Sequence, residues 1–397
     1  MANGGCPEGS NLFGWIAANG RLISSLGADL ERCRVGRINC DSLCGMSADG
    51  FPPRDRARRG AKTEPAGPVW RCRLIELDRK QRAERQTDAN DHAGLEQASC
   101  GWHPAVMQIG VARMAVEQFN IDAWFSRIGY DGSREPTLGN LRRLVTAHAT
   151  AIAYESIDVL LDRPPSLDPK LLQSKMIFGG RGGYCFEQNM LFRVGLLSLG
   201  YKVTSLQVRV VRGLEVDAPR PMLHMVLRVD LPEGPFLADV GFGNLAPTTA
   251  LKLLVDEEQE TPHEIMRFVA MGDELVLQSK LGNNWEHIYR VVFLPRIDAE
   301  YAICNWFTAT HPKSPHLNNL IAARPGPNRT RLTLFNSRFS VRYPSGEVDR
   351  RTIIGTREFR DVLTKDFGIR LSDCDLQTAV TNMEQRGTSG APHPFFA

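Results

Sequence analysis

The sequence predicts an α+β protein in which a helical module precedes a β module, and three observations predict it. Apolar residues recur at helical spacing from Val116 to Leu199, short β-rich runs alternate at a period of two from about Leu206 to past residue 290, and the tail returns to mixed structure. No internal repeat interrupts this order.

Phe119, Ile121, Trp124, Phe125 and Ile128 mark a first amphipathic helix, which Gly129 and the Asp131-Gly132 pair terminate. Thr137 is placed to N-cap a second, with Leu138, Leu141, Leu144, Val145 and His148 on one face; His148 reads as packing or helix surface. After the turn-rich Arg163-Pro164-Pro165-Ser166, a short helix over Leu167 to Phe178 delivers the chain to Gly179-Gly180-Arg181-Gly182-Gly183. Cys185 then opens a helix whose apolar members Phe186, Met190, Leu191, Val194 and Leu197 lie mainly on one face, with Gly200 as its stop. Leu206, Val208 and Val210 alternate with Gln207, Arg209 and Val211 in the first of several short strands. The tail is read as strands around Leu332 to Tyr343 and a final helix near Arg357 to Asp366, ending before Gly368.

Residues 1–113 differ in kind. They are rich in Gly, Ala, Arg, Pro and Cys, hold no period for long, and are expected to form a poorly structured extension, with Met114 an alternative start of translation. Six of the nine cysteines fall there. An odd cysteine count without an export signal argues against a disulfide framework. Cys33, Cys40, Cys44 and Cys72 lack the paired Cys-x-x-Cys knuckles of a zinc site, so no metal is expected.

The 397 residues are 42% hydrophobic and 23% charged, ordinary for a globular protein, and a net charge of +3 argues for neither a nucleic-acid nor a membrane partner. The basic cluster Arg54, Arg56, Arg58 and Arg59 contains Asp55 and reads as solvated. There is no run of eighteen apolar residues, nor a basic start followed by an unbroken apolar stretch, and a cytoplasmic protein is expected.

Three residues can carry chemistry together. Cys185 sits at a helix N-terminus, where unpaired N–H groups and the macrodipole favour a thiolate and lower the thiol's pKa; a buried structural cysteine fits the same position. In Met222-Leu223-His224-Met225-Val226-Leu227, alternation places His224 opposite Leu223, Met225 and Leu227, which suits a base or a packed histidine. Asp239 lies inside the apolar Phe236-Leu237-Ala238-Asp239-Val240, where burial without a partner costs several kcal/mol, roughly. If these two strands pair through the Pro232 to Pro235 turn, the carboxylate can hold the imidazole and the other ring nitrogen can meet Cys185, a triad in chain order Cys, His, Asp. Val240-Gly241-Phe242-Gly243 follows at once, its glycines permitting close backbone approach to a ligand and Phe242 offering a flat wall; it fits neither a dinucleotide fingerprint nor a P-loop.

The run Arg181-Gly182-Gly183-Tyr184-Cys185-Phe186-Glu187-Gln188-Asn189, with His224 and Asp239 at these distances beyond it, resembles the signature of the arylamine N-acetyltransferases of bacterial type. Similarity extends from about Met114 to the end, through Glu155 to Leu161, Asn305 to Pro315, and Phe367-Gly368-Ile369. The resemblance implies three domains around a shared cleft: a helical bundle carrying the cysteine (114–200), a β-barrel carrying His and Asp (201–306) and an α/β lid (307–397). It implies ping-pong acetylation of arylamines and arylhydrazines through an acetyl-Cys185 thioester, with acetyl-CoA as co-substrate and no tightly bound cofactor. Catalytic roles then fall to Cys185, His224 and Asp239, and Arg181 pairs with Glu155 to brace the cysteine loop. Gly241 and Gly243 line the coenzyme and acyl path, and Phe242 faces the acceptor. The family commonly has Pro-Phe where this chain has Ala153-Tyr154, so Tyr154 places a hydroxyl at the acceptor pocket. Another acyl-CoA donor or macrocyclic amide synthesis suits the same scaffold. Outside it, a transglutaminase-like enzyme shares the triad order, whereas a papain-like peptidase carries glutamine where this chain has Gly179.

Overall fold

Helix ends follow the capping chemistry written in the sequence. In the computed structural model, which describes residues 116–387, α1 (Ile121–Ile128) begins at Asn120, whose side chain accepts from the Ala123 N–H, and ends at Gly129 in the left-handed conformation. Thr137 caps α2 (Leu138–Ala151) by accepting from the Asn140 N–H, and Leu141, Leu144, Val145 and His148 are buried along it. The expectations for residues 1–113, a poorly structured extension without a zinc site and an alternative start at Met114, lie outside the described residues.

After β1 (Tyr154–Glu155) and α3 (Ile157–Leu160), the helix expected over Leu167 to Phe178 is only partly α-helical. α4 (Pro169–Leu172) runs into a π-helical segment, Gln173–Phe178, which ends with the Gly179 N–H bonded to the Ser174 carbonyl five residues back. α5 (Cys185–Ser198) departs from expectation more strongly. Cys185 through Phe192 are all buried, Glu187, Gln188 and Asn189 among them, so this helix is surrounded rather than one-sided.

The strands that follow are β2 (Lys202–Val210), β3 (Met222–Leu231), β4 (Gly234–Ala238), β5 (Leu251–Lys252), β6 (Gln259–Glu260), β7 (Ile265–Met271), β8 (Glu274–Leu281) and β9 (Asn284–Val292). They form one antiparallel sheet in the order β5-β4-β3-β2-β9-β8-β7-β6. The expected barrel is nearly closed, with no ladder of its own between β5 and β6. Instead the Gln259 amide bridges the edges, its Oε1 accepting from the Lys252 N–H at 2.7 Å and its Nε2 donating to the Lys252 carbonyl at 2.8 Å.

A helix not foreseen from the sequence, α6 (Asp298–Thr310), follows, spanning the boundary expected at 306; α7 (Pro315–Asn318) leads into the second sheet. Its strands β10 (Ile321–Pro325), β11 (Arg331–Phe335), β12 (Arg338–Arg342) and β13 (Val348–Thr352) are joined by β1, which pairs Tyr154 with Ala323 and Glu155 with Ala322. The helical segment thus lends a strand to the C-terminal sheet. The helix read as final, α8 (Gly355–Asp361) with its π-helical continuation Val362–Asp366, is not the last. α9 (Asp373–Arg386), capped by Ser372, buries Leu376, Ala379, Val380 and Met383 at helical spacing. Among the described residues no helix is long and apolar enough to cross a membrane.

If the Gln259 amide closes the barrel, Gln259→Ala should cost about 1–2 kcal/mol, the net worth of two hydrogen bonds. Chemical denaturation should show an earlier midpoint; an unchanged midpoint would mean the edges hold without it.

Candidate active site

The segment preceding the cysteine is held by charge. Arg181 Nη2 lies 2.8 Å from both Glu155 Oε1 and Asp158 Oδ1, so the Arg181–Glu155 pair expected from the signature forms with a third member. Lys175 Nζ reaches Asp158 Oδ2 and Glu187 Oε1, each at 2.7 Å. The remaining carboxylate oxygens accept from backbone: Glu155 Oε2 from the Ile157 N–H at 2.7 Å and Glu187 Oε2 from the Tyr184 N–H at 3.0 Å. Burial works to lower Lys175 and Arg181, but the carboxylates outweigh it and raise both. With three acids against two bases, burial pushes Glu187 up to about 7, opposed by Lys175.

Cys185 is the first residue of α5, as expected, but its thiol is not depressed. Burial and then the Asp239 charge push it up, overriding the N–H groups of Phe186 and Met225, which lower it. The helix N-terminus acts in the expected direction and desolvation is the larger effect. The sulfur also lies 3.9 Å from the Leu223 carbonyl. Its contacts on β3 therefore bracket His224 from both sides.

The β3–β4 register, with Leu227 opposite Ala238 and Leu231 opposite Gly234, carries Asp239 onto the face of His224. His224 Nε2 meets Asp239 Oδ2 at 2.8 Å, both residues being buried. Asp239 accepts only, so Nε2 carries the proton; Nδ1 is buried and has no hydrogen-bond partner among the described residues. Asp239 Oδ1 accepts from Asn189 Nδ2 at 3.0 Å and from the Gly241 N–H at 2.9 Å. Asn189 further donates to the Met225 carbonyl and accepts from the Val240 N–H.

Asn189 and Gln188 are positioning residues that sequence reasoning did not single out. Both stood in the signature, and Asn189 is four residues from Cys185, hence on the same helix face. Gln188 donates to the Ile152 and Ala153 carbonyls and accepts from His148 Nε2 at 2.8 Å. His148 Nδ1 accepts from Trp124 Nε1, and burial lowers this histidine to about 4, so it is packing rather than site.

The loop after Asp239 is set by close approach. A Cβ on Gly241 would lie 2.9 Å from both the Cα and the carbonyl oxygen of Cys185, and one on Gly243 would lie 3.3 Å from Tyr154 Cγ. Phe242, expected to face the acceptor, is completely buried, Cys185, His224 and Asp239 being buried as well, and its ring lies edge-on to His224 at 5.2 Å and 5.3 Å from Tyr289. The apolar barrel core claims this side chain, and the wall it provides backs the imidazole. Among the described residues no cluster of His, Cys, Asp or Glu is arranged to hold a metal ion.

A family model described as N-acetyltransferase matches residues 137–376. The chain belongs to the arylamine N-acetyltransferase family. It is an acyltransferase. The arylamine N-acetyltransferase of Mycobacterium tuberculosis is 35% identical over 258 residues, covering 64% of this chain and 90% of the relative. That of Escherichia coli is 34% identical over 254 residues with the same coverage. The structure of the Mycobacterium marinum arylamine N-acetyltransferase in complex with CoA matches with a TM-score of 0.64 at 34% identity, over 67% of this chain and 99% of that one. The mixed helices and the nearly closed sheet are those of these relatives.

The neutral His148 provides a test of how tightly α2 and α5 are joined. Its folded pKa of about 4 lies below the unfolded value near 6.5, so the unfolded chain binds the proton first and stability is lost as pH falls from about 6.5 to about 4. The stability difference between the wild type and His148→Gln should shrink by about 3 kcal/mol from pH 6.5 to 4. A difference independent of pH would show that His148 is not held neutral.

Proposed function

We propose that the chain transfers an acetyl group from acetyl-CoA to an arylamine or arylhydrazine through a thioester on Cys185. The observation that carries this is the state of His224, whose Nε2 is held by Asp239 while Nδ1 has no partner among the described residues, with Cys185 contacting the residues on either side of it in the strand. A raised thiol gives little resting thiolate, so the proton passes to His224 Nδ1 as sulfur attacks the acetyl carbonyl. The imidazolium then protonates the departing CoA thiolate. In the second half-reaction the amine nitrogen attacks the acetyl-Cys185 carbonyl, Nδ1 takes its proton, and the amide leaves as the thiol is restored. Asp239 stabilises the imidazolium in both halves, and Asn189 and the Gly241 N–H keep its carboxylate aimed.

Under this reading Arg181 and Glu155 brace the segment before the nucleophile, and Gly241 and Gly243 let the loop approach the acyl group. Donor and acceptor identity draw support from the relatives' activity. The residues that perform the chemistry draw support from the geometry around Asp239.

Incubation with acetyl-CoA alone, followed by intact mass and peptide mapping, should show one acetyl group on Cys185; folded protein with no adduct would sink the proposal. Cys185→Ala should abolish turnover. Asp239→Asn should lower kcat/KM by roughly 10³–10⁴-fold, because an amide can neither fix the imidazole tautomer nor balance its charge. Near-normal rates in either variant would mean that other groups do the work.

A further inference from the structure

The nucleophile is not the only thiol in its part of the molecule. Cys304 lies on α6, on the helix face that also carries Tyr301 and Asn305. The Tyr301 ring packs 6.2 Å from the ring of Phe186, and the Tyr184 hydroxyl donates to the Asn305 side-chain oxygen. The neighbours of Cys304 on that face therefore hold the residues on either side of Cys185. The two sulfurs rest on consecutive carbonyls of β3: Cys185 Sγ lies 3.9 Å from the Leu223 oxygen and Cys304 Sγ 3.7 Å from the Met222 oxygen. Cys304 packs against the apolar cluster that contains Cys185. Its charge is also felt there, adding to the larger effects of burial and Asp239 that raise the Cys185 thiol.

Acyl transfer as derived above assigns nothing to Cys304. A thiol is a weak donor, so either side chain can leave its carbonyl at small cost. Cys304 is half-buried where Cys185 is 6% exposed. Burial raises Cys304, opposed by Gln207, whose Nε2 donates to the sulfur at 3.2 Å and so favours its thiolate. A second thiol in this position beside the first is the arrangement that resolves a sulfenic acid to a disulfide before it is oxidised further.

We propose that Cys185 and Cys304 form a reversible disulfide when the protein meets a hydroperoxide, so that Cys185 is capped by its neighbour instead of being lost to irreversible oxidation. In the first step the Cys185 sulfur attacks one oxygen of hydrogen peroxide and the O–O bond breaks. The departing hydroxide takes the thiol proton and leaves as water, and Cys185 is left as the sulfenic acid. In the second step the Cys304 sulfur attacks the sulfenic sulfur and the S–O bond breaks. The hydroxide released takes the Cys304 proton and leaves as the second water, so the two thiols are oxidised by two electrons and the peroxide is reduced by two. An S–S bond of about 2 Å requires both side chains to turn off their carbonyls toward each other. A dithiol reductant reverses the bond by exchange. While it stands, Cys185 can accept no acyl group.

In the test the full chain is reduced, freed of reductant, treated with hydrogen peroxide, alkylated with iodoacetamide and digested with trypsin without reduction. Mass spectrometry of the monomeric protein should find residues 182–193, which hold Cys185, joined to residues 297–313, which hold Cys304. Dithiothreitol added before alkylation should remove the joined species. In Cys304→Ser and Cys304→Ala the cross-link should be lost and Cys185 should accumulate as sulfinic and sulfonic acid, whereas Cys374→Ser, which removes the exposed thiol of α9, should keep the cross-link. Wild-type Cys185 recovered as the free thiol, only as sulfinic or sulfonic acid, or joined to any cysteine other than Cys304 overturns the proposal. So does over-oxidation of Cys185 to the same extent in the wild type and in Cys304→Ser. The readout is a bond between two named sulfurs, so it is decided separately from acetylation of Cys185 by acetyl-CoA.

Discussion

A carboxylate that cannot reach water organises the centre of this molecule. Asp239 is completely buried, and an unpaired charge there would cost several kcal/mol, roughly, so each oxygen must find donors. It finds them on three separate pieces of chain: His224 on β3, Asn189 on α5 and the Gly241 N–H on its own loop. Satisfying Asp239 is therefore the same act as docking α5 against the barrel and closing the glycine loop over the thiol. Stability and the alignment of the site rest on one set of hydrogen bonds.

α5 bears the consequence. A helix docked on one partner needs one apolar stripe; a helix buried on all sides must also spend its polar side chains internally. Glu187 closes on Lys175 and the Tyr184 N–H, Gln188 on His148 and two carbonyls, and Asn189 on Asp239 and its flanking strands. Each successive side chain after Phe186 fastens a different neighbour. The charged network of Arg181, Lys175, Glu155, Asp158 and Glu187 fastens the segment before the helix in the same way.

Much of this could be read in advance because it is local or periodic. The caps at Thr137 and Gly129, the strand alternation around His224 and the hairpin that carries Asp239 to it depend on neighbours in sequence. Other features depend on distant ones. α9 went unread although its stripe of Leu376, Ala379, Val380 and Met383 is local, whereas α5's all-round burial, the π-helical widening after α4 and the strand that Tyr154 and Glu155 lend to the second sheet follow from what packs against them. Phe242 shows the limit plainly: its place in the glycine loop after Asp239 was visible, and the barrel core decided which way its ring points.

By itself the sequence determined the candidate set, Cys185 after a glycine turn with His224 on one strand and Asp239 at the end of the next, because residue type, spacing and register are written along the chain. Only the tertiary structure decided the state of those groups and their company. A pKa depends on burial and on charges brought from elsewhere, so the thiol is raised where its helix position argued for lowering. A hydrogen bond between residues 162 apart, such as Tyr154 to His316, has no local signal, since nothing near either residue specifies the other. Desolvation and long-range contact are properties of the folded molecule.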